Sequence, residues 1–239
     1  MSLVKWENKE GVAVLEMCSG DNQQNLAFAE AMNNALDEII ADTTVNSVIL
    51  TSSNEKIFST GVDVNWVMTQ IGESKTQNVK DFMNTMNVVF RKILTYPVPV
   101  IAAINGHAFG NGAILSCSCD FRFMRSDRGY FCFPEVDLGI LFTPGMLAFV
   151  KKAIPQYKFY EMYLSGRRVG APELEEHHVI EKSCANVEEL MKEAMAFAKT
   201  FTKKRTILIP HKSRVNKSIT DIMDNEDPQV IEALDLFVA

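Results

Sequence analysis

Long apolar runs are missing from this chain, and none approaches the ~18–20 residues that a membrane-spanning helix requires. The opening MSLVKWENKEGVAVLEM has no signal-peptide pattern, and the final LFVA is no recognised address. Neither GxxxxGK[ST] nor GxGxxG occurs, so a nucleotide-phosphate loop is not expected. The five cysteines (Cys18, Cys117, Cys119, Cys132 and Cys184) are an odd set without a CxxC pair. Cys117 and Cys119 lie two apart in an apolar stretch, which suits buried thiols better than metal ligands. His177, His178 and His211 read as helix-surface residues with nothing to pair them, so no metal is expected. Positive charge is not in excess: 24 Lys and Arg against 30 Asp and Glu leave a formal charge of −6, which argues against a dedicated nucleic-acid binder. These absences together lead to the expectation of a soluble, cytoplasmic protein in a reducing compartment, with neither a membrane nor a nucleic acid as partner.

What is present is an ordinary globular composition, 47% apolar and 23% charged over 239 residues, enough to bury a core without disulfides or metals. Alternation over 11–18 and apolar runs over 47–52 and 98–104 predict strands. Between the first two, 26–42 carries apolar residues at helical spacing, with Asn25 as its N-cap. Strand, crossover helix and buried strand predict an α/β layout with parallel pairing. A long helix is expected over 78–95, stopped by Pro97 and Pro99, with short strands in DFRFMR and YFCF. From Pro144 onward the pattern is mostly helical. The switch near residue 190 predicts a mixed core over 1–190 and a helical appendage over 191–239.

Two glycine turns share one physical logic. IFSTGVDV sets Gly61 at the end of an apolar strand, and GHAFGNGA sets Gly110-Asn111-Gly112 before a small-residue helix. A helix N-terminus offers unpaired N–H groups and partial positive charge to an oxygen that becomes anionic. Either turn alone is as readily explained by close packing; facing each other, the two would form a two-donor oxyanion hole.

KIFSTGVDV, YPVPVIAAINGHAFGNGAILSCSCDFRF and YFCFPEVDLGILFTPGM, in that order, resemble the crotonase superfamily, the enoyl-CoA hydratase/isomerase family. The likeness runs from about Trp6 to Lys203 and takes in QNLAF and LSGRRVGAPELEEHHVIEKS. It implies an α/β spiral of ββα units with a C-terminal helical region, assembled as a homotrimer or dimer of trimers. It also implies an acyl-CoA thioester substrate, with no cofactor beyond the coenzyme A that the substrate carries. Carried over by position, it makes the N–H groups of Val62 and Asn111 the oxyanion hole, Asn111 standing where relatives usually have glycine. Lys56 falls near the nucleotide end of the ligand, and the backbone of Ser59, Thr60 and Gly61 along the adenine edge.

Glu135 falls on one of the family's two catalytic glutamate positions. Phe131, Phe133, Val136 and Leu138 flank it, and apolar surroundings raise a carboxylic acid's pKa toward the working range. Ile114 occupies the second position, where hydratases carry another glutamate. An isoleucine cannot hold or polarise water. Moving a double bond from the 3,4 to the 2,3 position needs no water, because one carboxylate can take a proton from C2 and return it to C4. The expected activity is therefore a Δ3,Δ2-enoyl-CoA isomerase of unsaturated fatty-acid breakdown, with Met68, Met83 and Met86 as candidate linings of the acyl tunnel.

Two other readings stand beside it. One is a hydratase, or other thioester chemistry, using a different acid; Asp137 would share a face with Glu135 if that segment were extended. The other is a non-catalytic acyl-CoA or protein-binding module. Asp63 is expected to fix the turn after Gly61, and His107 to be a satisfied core histidine. Between Ala194 and Thr220 lie seven basic residues (Lys199, Lys203, Lys204, Arg205, Lys212, Arg214 and Lys217) and no acidic one. Coenzyme A phosphates or nucleic acid would suit them, and a solvated helix face is the plainest reading.

Overall fold

A computed structural model describes residues 2–236. The chain opens with an antiparallel hairpin, β1 (Val4–Lys9) and β2 (Val12–Met17), turned by Glu10 and Gly11, both at positive φ. Helix α1 (Leu26–Ala41) starts at Asn25, whose side chain accepts from the N–H of Phe28, and leads to β3 (Ser47–Ser52). β3 lies parallel to β2 with Val12 opposite Ser47, so the expected strand, helix and parallel strand are all present.

The chain then spirals. β4 (Ile57–Ser59) is followed by α2 (Val64–Gly72) and α3 (Thr76–Leu94), then β5 (Val100–Ile104), β6 (His107–Phe109) and α4 (Asn111–Ser118). The next turn runs through β7 (Phe121–Arg125), β8 (Phe131–Cys132), α5 (Glu135–Leu138), α6 (Pro144–Ala153), α7 (Gln156–Ser165) and α8 (Ala171–Glu176) to β9 (Lys182–Cys184). Helices α9 (Val187–Ala198), α10 (Arg205–Val215), α11 (Lys217–Asn225) and α12 (Asp227–Ala233) end it. From β3 onward successive strands alternate between a six-stranded sheet, β1-β2-β3-β5-β7-β9, and a three-stranded one, β4-β6-β8. Apart from β1–β2, every ladder is parallel.

Apolar runs explain why β3 and β5 are central. Every residue of both strands is buried, as expected where helices cover both sheet faces. α1, α3, α4 and α6 pack their apolar residues into the main core. Leu190, Ala194 and Ala198 of α9 close the other face over Val12, Ile49, Ile101 and Phe123. Residue 190 thus lies inside a helix that belongs to the sheet, while Ile219 and Met223 of α11 join the main core. All eight residues of α4 are buried, which is why that helix has no polar stripe. Burial pushes the thiols of Cys117 and Cys119 up to about 11 and about 12. Among the described residues no helix is long and apolar enough to cross a membrane.

The basic stretch is for the most part the expected solvated face, with Lys199, Lys203, Lys204, Arg214 and Lys217 exposed, and Arg205 and Lys212 are the departures from it. Arg205 donates to the carbonyls of Ile40, Asp42 and Val45. Lys199 pairs with Glu10 at 2.6 Å. Lys212 is buried, its Nζ 2.6 Å from Asp120 and 3.1 Å from the carbonyl of Ile93. Lys212→Met would strand the Asp120 carboxylate, and we expect a loss of about 3–5 kcal/mol in urea unfolding. A loss below ~1 kcal/mol would mean that the pair is hydrated.

Candidate active site

Gly61 brings the two turns together. Its φ is +84°, and a Cβ there would stand 2.7 Å from the carbonyl of Phe109 and 2.9 Å from the nitrogen of Asn111. Only glycine permits that approach. Gly110, at φ +53°, is the N-cap of α4, and a Cβ on it would lie 3.1 Å from Oε1 of Glu135. The carboxylate therefore sits over the second turn. Among the described residues, the N–H groups of Val62 and Asn111 donate to no backbone carbonyl outside regular helices and strands, and Asn111 is the first residue of its helix. The N–H of such a residue has no partner within the helix.

Val62, Asn111, Ile114 and Glu135 all line one cavity of ≈ 120 Å³. One of its walls is the stripe Val79, Phe82, Met83 and Met86 of α3, repeating at helical spacing, and Met68 of α2 adds to it. Glu135 is 8% exposed, and its Oε2 has no hydrogen-bond partner. Burial raises its pKa to about 7, against the lowering effect of a hydrogen bond from its own backbone. An ordinary glutamate would be fully ionised at neutral pH; this one is poised to accept and return a proton.

Other expected residues lie elsewhere. Lys56 is exposed and does not line the cavity. Ser59 and Gly61 are buried, and much of that backbone is already engaged: Thr60 N–H with Asp21 O, Gly61 N–H with Ser59 Oγ, and Gly61 C=O with Gln24 N–H. Asp63 caps α2 through the N–H of Trp66, as expected.

Asp137 requires a correction. The segment is the short helix α5, not an extended strand, so positions two apart point to different faces. Asp137 is exposed and faces Gly166, away from the cavity. Val136 and Leu138 are likewise exposed; Ile114, Ile140 and Phe142 supply the apolar surroundings of Glu135 instead. His107 is not a satisfied core histidine either. It is half-buried beside Phe109 and Tyr130, its Nδ1 has no partner, and burial, with Arg168 and Arg128, pushes its pKa down.

Three contributors escaped the sequence reading. Asn87 and Thr143 line the cavity, as does Leu236, whose carbonyl accepts from the N–H of Leu141 at 2.8 Å. A fourth, Gln24, is fully buried behind the cavity wall and hydrogen-bonds both turns. A glutamine just before a helix cap carries no sequence signal of such burial.

Known proteins share this architecture. An enoyl-CoA hydratase/isomerase family protein from Pseudomonas syringae superposes with a TM-score of 0.85 at 25% identity, over 96% of this chain and 97% of that one. The fold is that of the crotonases. Enoyl-CoA delta isomerase 2, peroxisomal, of Arabidopsis thaliana is 31% identical over 156 residues, 64% of this chain and 65% of its own length. A short-chain-enoyl-CoA hydratase of Clostridium acetobutylicum is 36% identical over 143 residues, 60% of this chain and 52% of its own. The matches thus span about half to two thirds of the length of these two relatives. The model for enoyl-CoA hydratase/isomerase matches residues 7–233, through both turns, Ile114, Glu135 and α12, and the chain belongs to that family.

Proposed function

We propose that the protein is an acyl-CoA isomerase that shifts a 3-enoyl-CoA double bond to the 2-enoyl position. One observation carries this reading: among the described residues lining the cavity, Glu135 is the only carboxylate, and Ile114 stands beside it. The thioester carbonyl oxygen sits between the N–H groups of Val62 and Asn111. Glu135 removes the proton from C2, and negative charge passes to that oxygen, where each donor is worth about 3–4 kcal/mol. The same carboxyl group, now protonated, delivers its proton to C4 and is restored. Ile114 keeps water from the intermediate. Exposed Lys56 suits the phosphates of the coenzyme A moiety at the rim. The name of the Arabidopsis relative, enoyl-CoA delta isomerase, agrees with this chemistry, and we extend the proposal to a trimeric assembly acting in fatty-acid breakdown.

A hydratase is the second reading, supported by the name of the Clostridium relative. It needs another acid near the reacting carbons, and Asp137 faces the wrong way. The discriminating assay supplies a trans-3-enoyl-CoA and follows its 2-enoyl isomer, with hydration of a 2-enoyl-CoA measured in parallel. We expect the double-bond shift to exceed hydration by at least about 100-fold, the scale of one well-placed acid or base. Dominant hydration would replace the isomerase reading. Binding of acyl-CoA without either reaction would leave a binding module.

A further inference from the structure

Asn111 is an odd choice for its position. It lines the cavity, where its backbone N–H is the proposed donor, yet the residue is only 5% exposed and its side chain must be housed. Gln24 houses it. Asn111 Nδ2 donates to Gln24 Oε1 at 2.5 Å, and Gln24 Nε2 donates in turn to Ser59 Oγ at 3.1 Å. Ser59 Oγ accepts that bond and another from the N–H of Gly61, and it donates its one hydrogen to the carbonyl of Asn22 at 2.8 Å. A hydroxyl has a single proton to give, so the direction of the relay is fixed. Gln24 must show its NH2 to Ser59 and its oxygen to Asn111, which fixes the Asn111 amide as well.

The main chain of Gln24 holds the other turn. Its N–H donates to the carbonyl of Gly61 at 2.8 Å, and its carbonyl accepts from the N–H of Asp63 at 2.9 Å. These two bonds bracket Val62 and set the direction of its N–H. One fully buried residue thus grips the first donor through its backbone and the second through its side chain. We propose that Gln24 is a positioning residue for the oxyanion hole, and that it works as a unit with Asn111. The inference rests on the isomerase reading above.

The consequence runs against intuition. Glycine is the usual residue of the resembling family at this position, yet Asn111→Gly should impair this chain. It would leave Gln24 Oε1 buried without a donor, free to pull the glutamine out of line. A shift of about 1 Å at such a donor is enough to cost about 100-fold in rate.

The test measures kcat and KM for the double-bond shift in wild type, Gln24→Met, Asn111→Gly and the double variant. Methionine keeps the length of glutamine and removes every side-chain hydrogen bond. For each single variant we expect kcat to fall about 10–100-fold, with KM changing less than about threefold, because the hole acts mainly in the transition state. The double variant should be no worse than about threefold below the poorer single, since both changes break one unit. Gln24→Met with kcat within twofold of wild type would overturn the inference, as would single losses that multiply in the double. A mere packing role would lower the melting temperature without this split between kcat and KM. If Gln24→Met does not fold, Asn111→Gly and Ser59→Ala decide: Ser59→Ala removes the group that orients Gln24 and should lower kcat by a similar factor. A wild type that shifts no double bond overturns the isomerase reading itself; a wild-type rate that all these variants retain overturns only the role of Gln24.

Discussion

On the proposed mechanism, Glu135→Gln should lower kcat for the double-bond shift by about 10²–10⁴-fold, the range that a positioned general base supplies. Glutamine keeps the shape of the side chain over Gly110 but cannot take up the C2 proton. Among the described residues no other carboxylate lines the cavity to substitute for it. The pH profile follows from the same burial. The base must be ionised to act and has a pKa of about 7, so kcat/KM in wild type falls tenfold per pH unit below about 7 and levels off above it. An unperturbed glutamate would place that fall near pH ~4.

Stability moves the other way. Burial raises the folded pKa above the unfolded one, so the ionised carboxylate is less at ease in the fold than in the open chain. That penalty is absent below the unfolded pKa, grows as pH rises, and is complete above about 7. Glu135→Gln should therefore be more stable than wild type at pH ~8, by up to about 3 kcal/mol. Activity lost with melting temperature gained separates a chemical role from a folding defect. A variant that keeps a tenth of the wild-type kcat would remove Glu135 from the mechanism.

Ser47–Ser52 was readable to the residue because a continuous apolar run bounded by polar residues has one packing solution, and Asn25 because a cap's chemistry is local. The burial of α4 was visible in the absence of a polar stripe. The spiral itself was not; it came from the resemblance, since parallel ladders join strands that share no local signal. α5 is not legible because four residues are too few to display a helical period; only an extended segment would put Asp137 on the face of Glu135, and in the helix it faces Gly166. Lys212 and Arg205 read as solvated because their acceptors, Asp120 and the carbonyls at and just beyond the end of α1, lie far away in sequence. Gln24 and Leu236 reach the site in the same way, through long-range hydrogen bonds that no window of sequence contains.

The geometry of the hole itself is open to a single added carbon. Gly61→Ala should lower kcat by about 10²–10³-fold, comparable to deleting an oxyanion donor. Two effects act together. The backbone at φ +84° is one that residues with a side chain rarely adopt, and the new methyl would meet Phe109 O at 2.7 Å and Asn111 N at 2.9 Å. Both contacts are main chain, so no side chain can swing away to admit it. The turns must part, and the proposed donors, the N–H groups of Val62 and Asn111, should then no longer converge on one oxygen. Gly20→Ala is the matched control: φ there is +59°, with nothing within 4 Å of the added carbon. It carries the backbone strain alone, about 1–2 kcal/mol, and should leave kcat unchanged. Comparing the two variants in kcat, acyl-CoA binding and melting temperature isolates the spreading of the turns from strain. If Gly61→Ala kept kcat within threefold of wild type, the two turns would not meet as described, and a hole built from both would have to be abandoned.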